Sequence, residues 1–260
     1  MIVTWSIINN EEDYLKDIIE HHLPWVDAMY FLDTGSTDSS LDILKEYKSN
    51  KLYYEEYHTK YTPQYDVPWE QMTNPFPEVE VRNFAIKRCQ EIFKPDWLIQ
   101  LDGDEIFLPT LKPIIEKSSN GICITHSTIN PVCELKHHNP ERRGGYILYD
   151  PHARIWNSRH KIEYINNPNI KTGQFHCIPV FRSDAGHKGH IFNHPLNVIT
   201  NSPIHFHLHW MYGKKLEMFY AKQGIIGRKE IAKGQPTNVF SNLVPQVFWD
   251  KREQWIQEIK

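Results

Sequence analysis

Hydrophobic and polar positions alternate between two periods over the first hundred residues. Ile2, Val3, Trp5, Ile7 and Ile8 form a short β-prone run, closed by Asn9-Asn10-Glu11-Glu12. Leu15, Ile18, Ile19 and His22 then recur at helical spacing, which predicts an amphipathic helix ending just before Pro24. Ala28 to Leu32 reads as a second strand. It stops at Asp33-Thr34-Gly35-Ser36-Thr37-Asp38, a turn rich in helix-capping side chains, and Leu41, Leu44 and Tyr47 mark the next helix. Leu52 to Tyr57 reads as a third strand. His58 to Pro77 has no clear period, and a loop of that length usually carries function. Glu78 to Phe93 predicts a helix, with Val81, Phe84, Ala85 and Arg88 on related faces, and Asp96 to Leu101 a strand.

The order β-α-β-α-β-loop-α-β predicts an α/β fold with a largely parallel central sheet covered by helices on both faces. Ligands of such sheets bind outside the carboxyl ends of the strands. Both acidic turns, at Asp33 and at Asp102, fall at such ends and are expected to face one crevice. After Glu105 the pattern becomes irregular and mixed. Ile122 to Ile124, Tyr146 to Tyr149, Ala153 to Trp156, Ile178 to Phe181 and Ile204 to Trp210 read as strands; Lys214 to Lys233 and Trp249 to Ile259 read as helices. No repeat or linker divides the chain. One domain over residues 1–260 is expected, with a regular nucleotide-type half at 1–110 and an irregular half with C-terminal helices at 111–260, which the resemblance given below makes the acceptor half.

Composition narrows the function. At 260 residues the chain can bury one sizeable core, and a net charge of −3 gives no field that favours nucleic acid. Cys89, Cys123, Cys133 and Cys177 form no CxxC pair and read as reduced thiols of a cytoplasmic protein. No apolar run is long enough to span a bilayer, and the N-terminus reads as a strand rather than a signal peptide. Any membrane contact would therefore be peripheral or through a partner.

The strongest chemical signal is Trp97-Leu98-Ile99-Gln100-Leu101-Asp102-Gly103-Asp104-Glu105, an apolar strand ending in three carboxylates around one glycine. Buried carboxylates are costly unless compensated, and Asp oxygens suit hard divalent ions that also hold phosphates. The alternative is a solvated Asp-Gly turn. The Asp33 turn is weaker evidence, because a plain strand-to-helix turn explains it equally well. It lacks the spacing of a dinucleotide site and the lysine of a P-loop. Arg82 precedes the acidic strand and suits a diphosphate, although a lone arginine is more often a packed surface residue. His205, His207 and His209 alternate along a strand and would share a face, as metal ligands or as ordinary buried histidines. His176 and the aromatics Trp69, Trp156 and Trp210 are weaker candidates for an acceptor or sugar surface, and most are expected in the core.

Asn10-Glu11-Glu12, Leu32-Asp33-Thr34-Gly35-Ser36-Thr37-Asp38, Arg82-Asn83 and Leu101-Asp102-Gly103-Asp104-Glu105, in that order, resemble glycosyltransferase family 2 with the GT-A fold. The resemblance covers about the first 110 residues. It implies a nucleotide-diphospho-sugar donor, a divalent metal (Mn²⁺ or Mg²⁺) and an acceptor hydroxyl on a glycan, a lipid carrier or a protein. It assigns Asn10, Glu11, Asp33, Gly35, Ser36, Arg82 and Asp102 to the nucleotide-sugar. Asp102 and Asp104 become the DxD pair, with Asp104 the direct ligand and His207 or its neighbour His205 completing the metal shell. Transfer is expected to invert the anomeric centre, with a carboxylate base.

Two departures stand out. Thr34 replaces a common second Asp, and no Glu-Asp motif marks the base, leaving Asp150, Glu163, Asp184 and Glu105 as candidates. Three rival readings remain. One is a catalytically silent glycan- or nucleotide-binding module. Another is a metal-dependent phosphohydrolase centred on the histidine strand. The third, a sugar-nucleotide pyrophosphorylase, is disfavoured because Met1 to Asn10 contains no glycine.

Overall fold

A computed structural model describes residues 1–58, 77–125, 128–129, 147–148, 154–166, 177–182, 188–190, 195–208 and 241–258. Four strands of the first hundred residues, β1 (Ile2–Ile8), β2 (Ala28–Asp33), β3 (Leu52–Glu56) and β4 (Trp97–Gln100), all run parallel. The helices between them are α1 (Leu15–His22), α2 (Ser40–Tyr47) and α3 (Glu78–Phe93). α3 has the boundaries expected from its apolar period. Later strands β6 (Cys123–Thr125), β9 (Ile155–Asn157) and β13 (Val198–Ile199) complete a seven-stranded sheet, ordered β13-β6-β9-β4-β1-β2-β3. β9 is its antiparallel member. The protein thus has the expected α/β architecture, a mostly parallel central sheet flanked by helices.

Pleating sends alternate residues of this sheet into two cores. Ile2, Ile8, Met29, Phe31 and Ile99 pack with Leu15, Ile18 and Ile19 of α1 and Leu44 of α2. Val3, Trp5, Ala28, Tyr30, Leu32 and Leu98 pack on the other face with Val81, Ala85 and Cys89 of α3. Both faces being apolar explains why these strands read as continuous hydrophobic runs.

The second half mixes strands expected from the sequence, at 147–148, 177–182 and 205–207, with elements that were not. β5 (Glu105–Phe107) begins on the last carboxylate of the acidic turn and pairs antiparallel with β14 (His205–His207). α4 (Leu111–Lys117) follows it. β7 (Thr128–Ile129) and β8 (Ile147–Leu148) extend the small sheet β5-β14-β7-β8. β10 (Lys161–Asn166), β11 (Cys177–Arg182) and β12 (Lys188–His190) form a third, antiparallel sheet. Helix α5 (Gln246–Glu258) starts three residues before its expected beginning at Trp249. The expected helix at 214–233 lies outside the described residues, as do residues 59–76 of the expected loop. Among the described residues no helix is long and apolar enough to cross a membrane.

Candidate active site

Three loops meet at the carboxyl ends of β1, β2 and β4. The first, Asn9 to Glu12, is bound to the second, Thr34 to Ser40, by reciprocal hydrogen bonds. The Asn10 amide donates to Ser36 Oγ at 2.9 Å, the Glu11 amide to Ser40 Oγ at 2.8 Å and the Glu12 amide to Asp38 Oδ2 at 3.1 Å. In return the Ser39 amide donates to Glu12 Oε2 at 3.1 Å. Glu11 is buried and crosses to the third loop, where it covers Gly103. A methyl group on Gly103 would lie 2.8 Å from Glu11 Oε1 and closer still to its Cγ and Cδ. A side chain at 103 would therefore have to push Glu11 from its place.

Asp33 ends β2 and is 1% exposed. Its Oδ1 accepts the Gly35 and Ser36 amides, each at 2.9 Å, with Gly35 at φ 104°. Its Oδ2 is buried with no hydrogen-bond donor in reach among the described residues. A buried acceptor left unmatched costs about 1–3 kcal/mol, so this oxygen marks a place where a ligand N–H or O–H would be favourable.

The acidic turn is held by a cation that the sequence reading passed over. Arg154 precedes β9 and is buried. Its Nη1 donates to Asp102 Oδ2 and its Nη2 to Glu105 Oε1, both at 2.8 Å. Gln100 Nε2 donates to Asp102 Oδ1 at 3.1 Å, and Arg82 Nη1 stands 3.9 Å from the same oxygen. The Asp102 amide donates to Glu105 Oε2 at 3.1 Å, folding the turn on itself. Burial opposes the Asp102 charge, but Arg154 and Arg82 overcome it and hold the carboxyl below the usual carboxylate range. Burial pushes the Glu105 carboxyl upward, against the pull of Arg154.

Asp104 faces a different partner. His207 Nε2 approaches Asp104 Oδ2 to 3.2 Å, and the Leu208 amide donates to the Asp104 carbonyl at 2.7 Å. Burial disfavours a charged His207, yet Asp104 outweighs it and lifts the imidazole to about 9. His205, as expected from strand alternation, lies on the same side of β14, with Nε2 3.4 Å from Glu105 Oε2. Its ring is fully buried and stacks on Phe107 at 4.2 Å. Burial, then Arg154 and His207, hold His205 well below its ordinary pKa, so it is neutral.

The donor set fits a hard divalent ion in part. A carboxylate oxygen and an imidazole nitrogen converge at Asp104 and His207; without a metal the imidazole is protonated on this carboxylate, and it would have to release that proton before its nitrogen could join the carboxylate on Mn²⁺. Among the described residues no group of three or more His, Cys, Asp or Glu side chains closes on one point. The remaining positions of such an ion would fall to water and ligand phosphate.

Arg82 lies beside this cluster. Its Nε and Nη2 hold Glu78 Oε1 at 2.8 and 2.7 Å, and its guanidinium sits 5.3 Å above the Tyr164 ring. Tyr164 in turn donates its hydroxyl to Gln100 Oε1, and Asn83 brackets the Tyr164 backbone with bonds of 2.9 and 2.7 Å. Residues 82, 83, 100, 102, 154 and 164 thus form one polar cluster.

The base candidates fare differently. Glu105 is in the core with its carboxylate on Arg154, away from any solvent-borne acceptor. Glu163 lies on β10 between the buried Ile162 and Tyr164, so it occupies the face opposite the one that reaches Gln100. Asp150 and Asp184 lie outside the described residues, with His176, His209, Trp69 and Trp210. Trp156 is core, its ring 6.0 Å from Trp5. Cys89 and Cys123 are buried free thiols, and burial pushes Cys123 up to about 12. Missing from the sequence reading were Arg154, Gln100 and Tyr164. The single trace Arg154 leaves is a cation directly before the apolar pair Ile155-Trp156.

No family model and no curated protein matches this chain. Similarity to solved structures is distant. Staphylococcus aureus TarS is 14% identical with a TM-score of 0.47, over 89% of this chain and 64% of that one. Glucosyl-3-phosphoglycerate synthase from Mycobacterium tuberculosis, solved with Mn²⁺, UDP and glucosyl-3-phosphoglycerate, is 21% identical with a TM-score of 0.33, over 49% of this chain and 44% of that one. A mycobacterial protein is 18% identical with a TM-score of 0.34, over 50% of this chain. This chain thus spans under two thirds of each of these neighbours.

Proposed function

We propose that this chain is a metal-dependent glycosyltransferase of the GT-A type, moving a sugar from a nucleotide-diphospho-sugar to an acceptor hydroxyl. The observation that carries the reading is the Asp104–His207 pair at 3.2 Å. Two residues about a hundred positions apart bring an oxygen and a nitrogen ligand together at the edge where a parallel sheet binds ligands. The buried Asp33 oxygen, on the same edge, supports it by offering an acceptor for a nucleotide.

In this reading Asp33, with the Gly35–Ser36 turn, receives the nucleoside. Asp104 and His207 hold Mn²⁺ or Mg²⁺, which when bound offsets charge on the diphosphate leaving group. Asp102, clamped between Arg154 and Gln100, serves as a fixed acceptor for donor hydroxyls rather than as a metal ligand. Arg82 contributes positive charge beside the diphosphate. Glu105 anchors Arg154 and is not the base. Inversion, and a base at Asp150 or Asp184, remain part of the proposal through the family resemblance.

Release of nucleoside diphosphate from UDP-, GDP- and dTDP-sugars, and of CMP from CMP-sugars, tests the reading. Slow hydrolysis that needs Mn²⁺ and is lost in Asp104→Asn and His207→Gln is the expected result. A nucleotide-sugar that binds but is never hydrolysed or transferred, with or without metal, would favour a silent binding module instead. Phosphomonoester hydrolysis that survives Asp33→Asn would favour the phosphohydrolase.

A further inference from the structure

Asn10 lies at the carboxyl end of β1, where a nucleotide contact is expected, but its side-chain oxygen is already committed inside the protein. Its Oδ1 accepts the Thr37 amide at 2.8 Å and the Thr37 hydroxyl and Asp38 amide at 3.3 Å each. Three donors on one atom identify that end of the amide as the oxygen and saturate it. Its Nδ2 donates to Asn9 Oδ1 at 3.3 Å. Its backbone is left-handed, with φ 58°, a conformation that asparagine, aspartate and glycine tolerate.

From these bonds we infer that Asn10 is a positioning residue, a latch that presets Asp33 for the nucleotide without touching the nucleotide itself. The inference rests on the nucleotide-sugar reading above. A relay of two bonds carries the effect. The Asn10 backbone N–H, which any residue but proline would supply here, donates to Ser36 Oγ, and the Ser36 amide donates to Asp33 Oδ1, each at 2.9 Å. Asn10 Oδ1 meanwhile fixes the next two residues, so the turn that grips Asp33 is held from both ends. Asp33 Oδ1 is thereby occupied and Oδ2 is left as the acceptor for a ligand. Ordering this turn in the folded protein removes that entropy cost from binding.

The test uses the full chain, with UDP, GDP, CDP and dTDP each titrated calorimetrically in Mn²⁺, and amide hydrogen exchange at Thr37 and Asp38 without ligand. Asn10→Gly keeps the backbone conformation and the backbone N–H to Ser36 Oγ, and loses the Oδ1 bonds to Thr37 and Asp38 that hold the far side of the turn. Asn10→Asp keeps both the conformation and an acceptor oxygen. For the nucleotide the wild type binds, Asn10→Gly is expected to bind at least tenfold more weakly and to exchange those amides at least tenfold faster. Asn10→Asp is expected to stay within threefold of wild type on both. If Asn10→Gly does not fold, Ser36→Ala, which removes the relay oxygen, carries the same binding expectation. Faster exchange with unchanged affinity overturns the inference, since Asn10 would then be merely structural. Weak binding by Asn10→Asp with wild-type exchange also overturns it, since the amide nitrogen would then touch the ligand. If the wild type binds none of the four, the nucleotide reading itself fails and the latch fails with it.

Discussion

His22 offers a sharp test of how the site's supporting layer is built. The Phe107 amide donates to His22 Nε2 at 3.0 Å, so that nitrogen carries no proton; Nδ1 carries it and donates to the Ile18 carbonyl at 2.7 Å. The adjacent His21 takes the other backbone group of Phe107, with Nε2 3.0 Å from its carbonyl. Together they pin β5, and so the Glu105 that begins it, to α1. Burial, and then the neighbouring His21, lower the His22 pKa to about 3. The unfolded chain takes up this proton as pH falls through 6.5, the folded chain only near 3. The unfolded state therefore binds more protons in that window, and stability present above pH 6.5 is lost progressively as pH falls toward 3. One pH unit inside the window is worth about 1.4 kcal/mol, so His22 alone removes about 2 kcal/mol between pH 7 and pH 5. Urea unfolding at both pH values, for wild type and His22→Gln, measures it. The variant should lose about 2 kcal/mol less than wild type over the interval, whatever its stability at pH 7. Equal losses, or a His22 ring that protonates near pH 6 by NMR, would refute the buried neutral tautomer.

Other consequences concern the acidic turn. Arg154→Met strands Asp102 and Glu105 and should cost about 3–5 kcal/mol by chemical denaturation, with Arg154→Met/Glu105→Gln regaining part of it. Additive losses would mean the pair is not coupled. Gly103→Ala forces Glu11 from its place and should destabilise by about 1–3 kcal/mol in the same assay; a neutral change would show that Glu11 moves freely. Asp33→Asn keeps the acceptor for Gly35 and Ser36, so its thermal midpoint should stay close to wild type while nucleotide affinity, by calorimetry, falls at least tenfold. Full retention of affinity would remove Asp33 from the site.

The parts legible in the sequence were those with a period. β1 to β4 and α1 to α3 are long enough for apolar spacing to define them, and α1 buries the very residues (Leu15, Ile18, Ile19, His22) that marked it. β5 and β7 span only two or three residues and carry no period to read, whereas β8, equally short, falls within the expected apolar run at 146–149. Asp33, Asp102 and Asp104 stand out in the sequence because they fall at the ends of apolar strands. Arg154 was not, because its two partners lie 52 and 49 residues earlier and meet it only when β9 returns antiparallel beside β4. The same return explains Gln100: a polar residue inside an apolar strand has no evident role until Tyr164 and Asp102 are seen on either end of its amide. His205 and His207 looked equivalent by spacing. Strand pairing separates them, placing one against Glu105 in the core and the other on Asp104.

In the proposed function Asp104 and His207 hold a metal that brings a nucleotide-sugar to this edge of the sheet. A thermal-shift screen against UDP-, GDP-, CMP- and dTDP-sugars, with and without Mn²⁺, on wild type and Asp104→Asn, tests this. A ligand at a hundred times its Kd stabilises the folded state by about 2.7 kcal/mol, a shift of several degrees. One nucleotide series should raise the wild-type midpoint only when Mn²⁺ is present, and Asp104→Asn should lose the shift. No shift with any nucleotide-sugar at millimolar concentration, or an equal shift in Asp104→Asn, would contradict it.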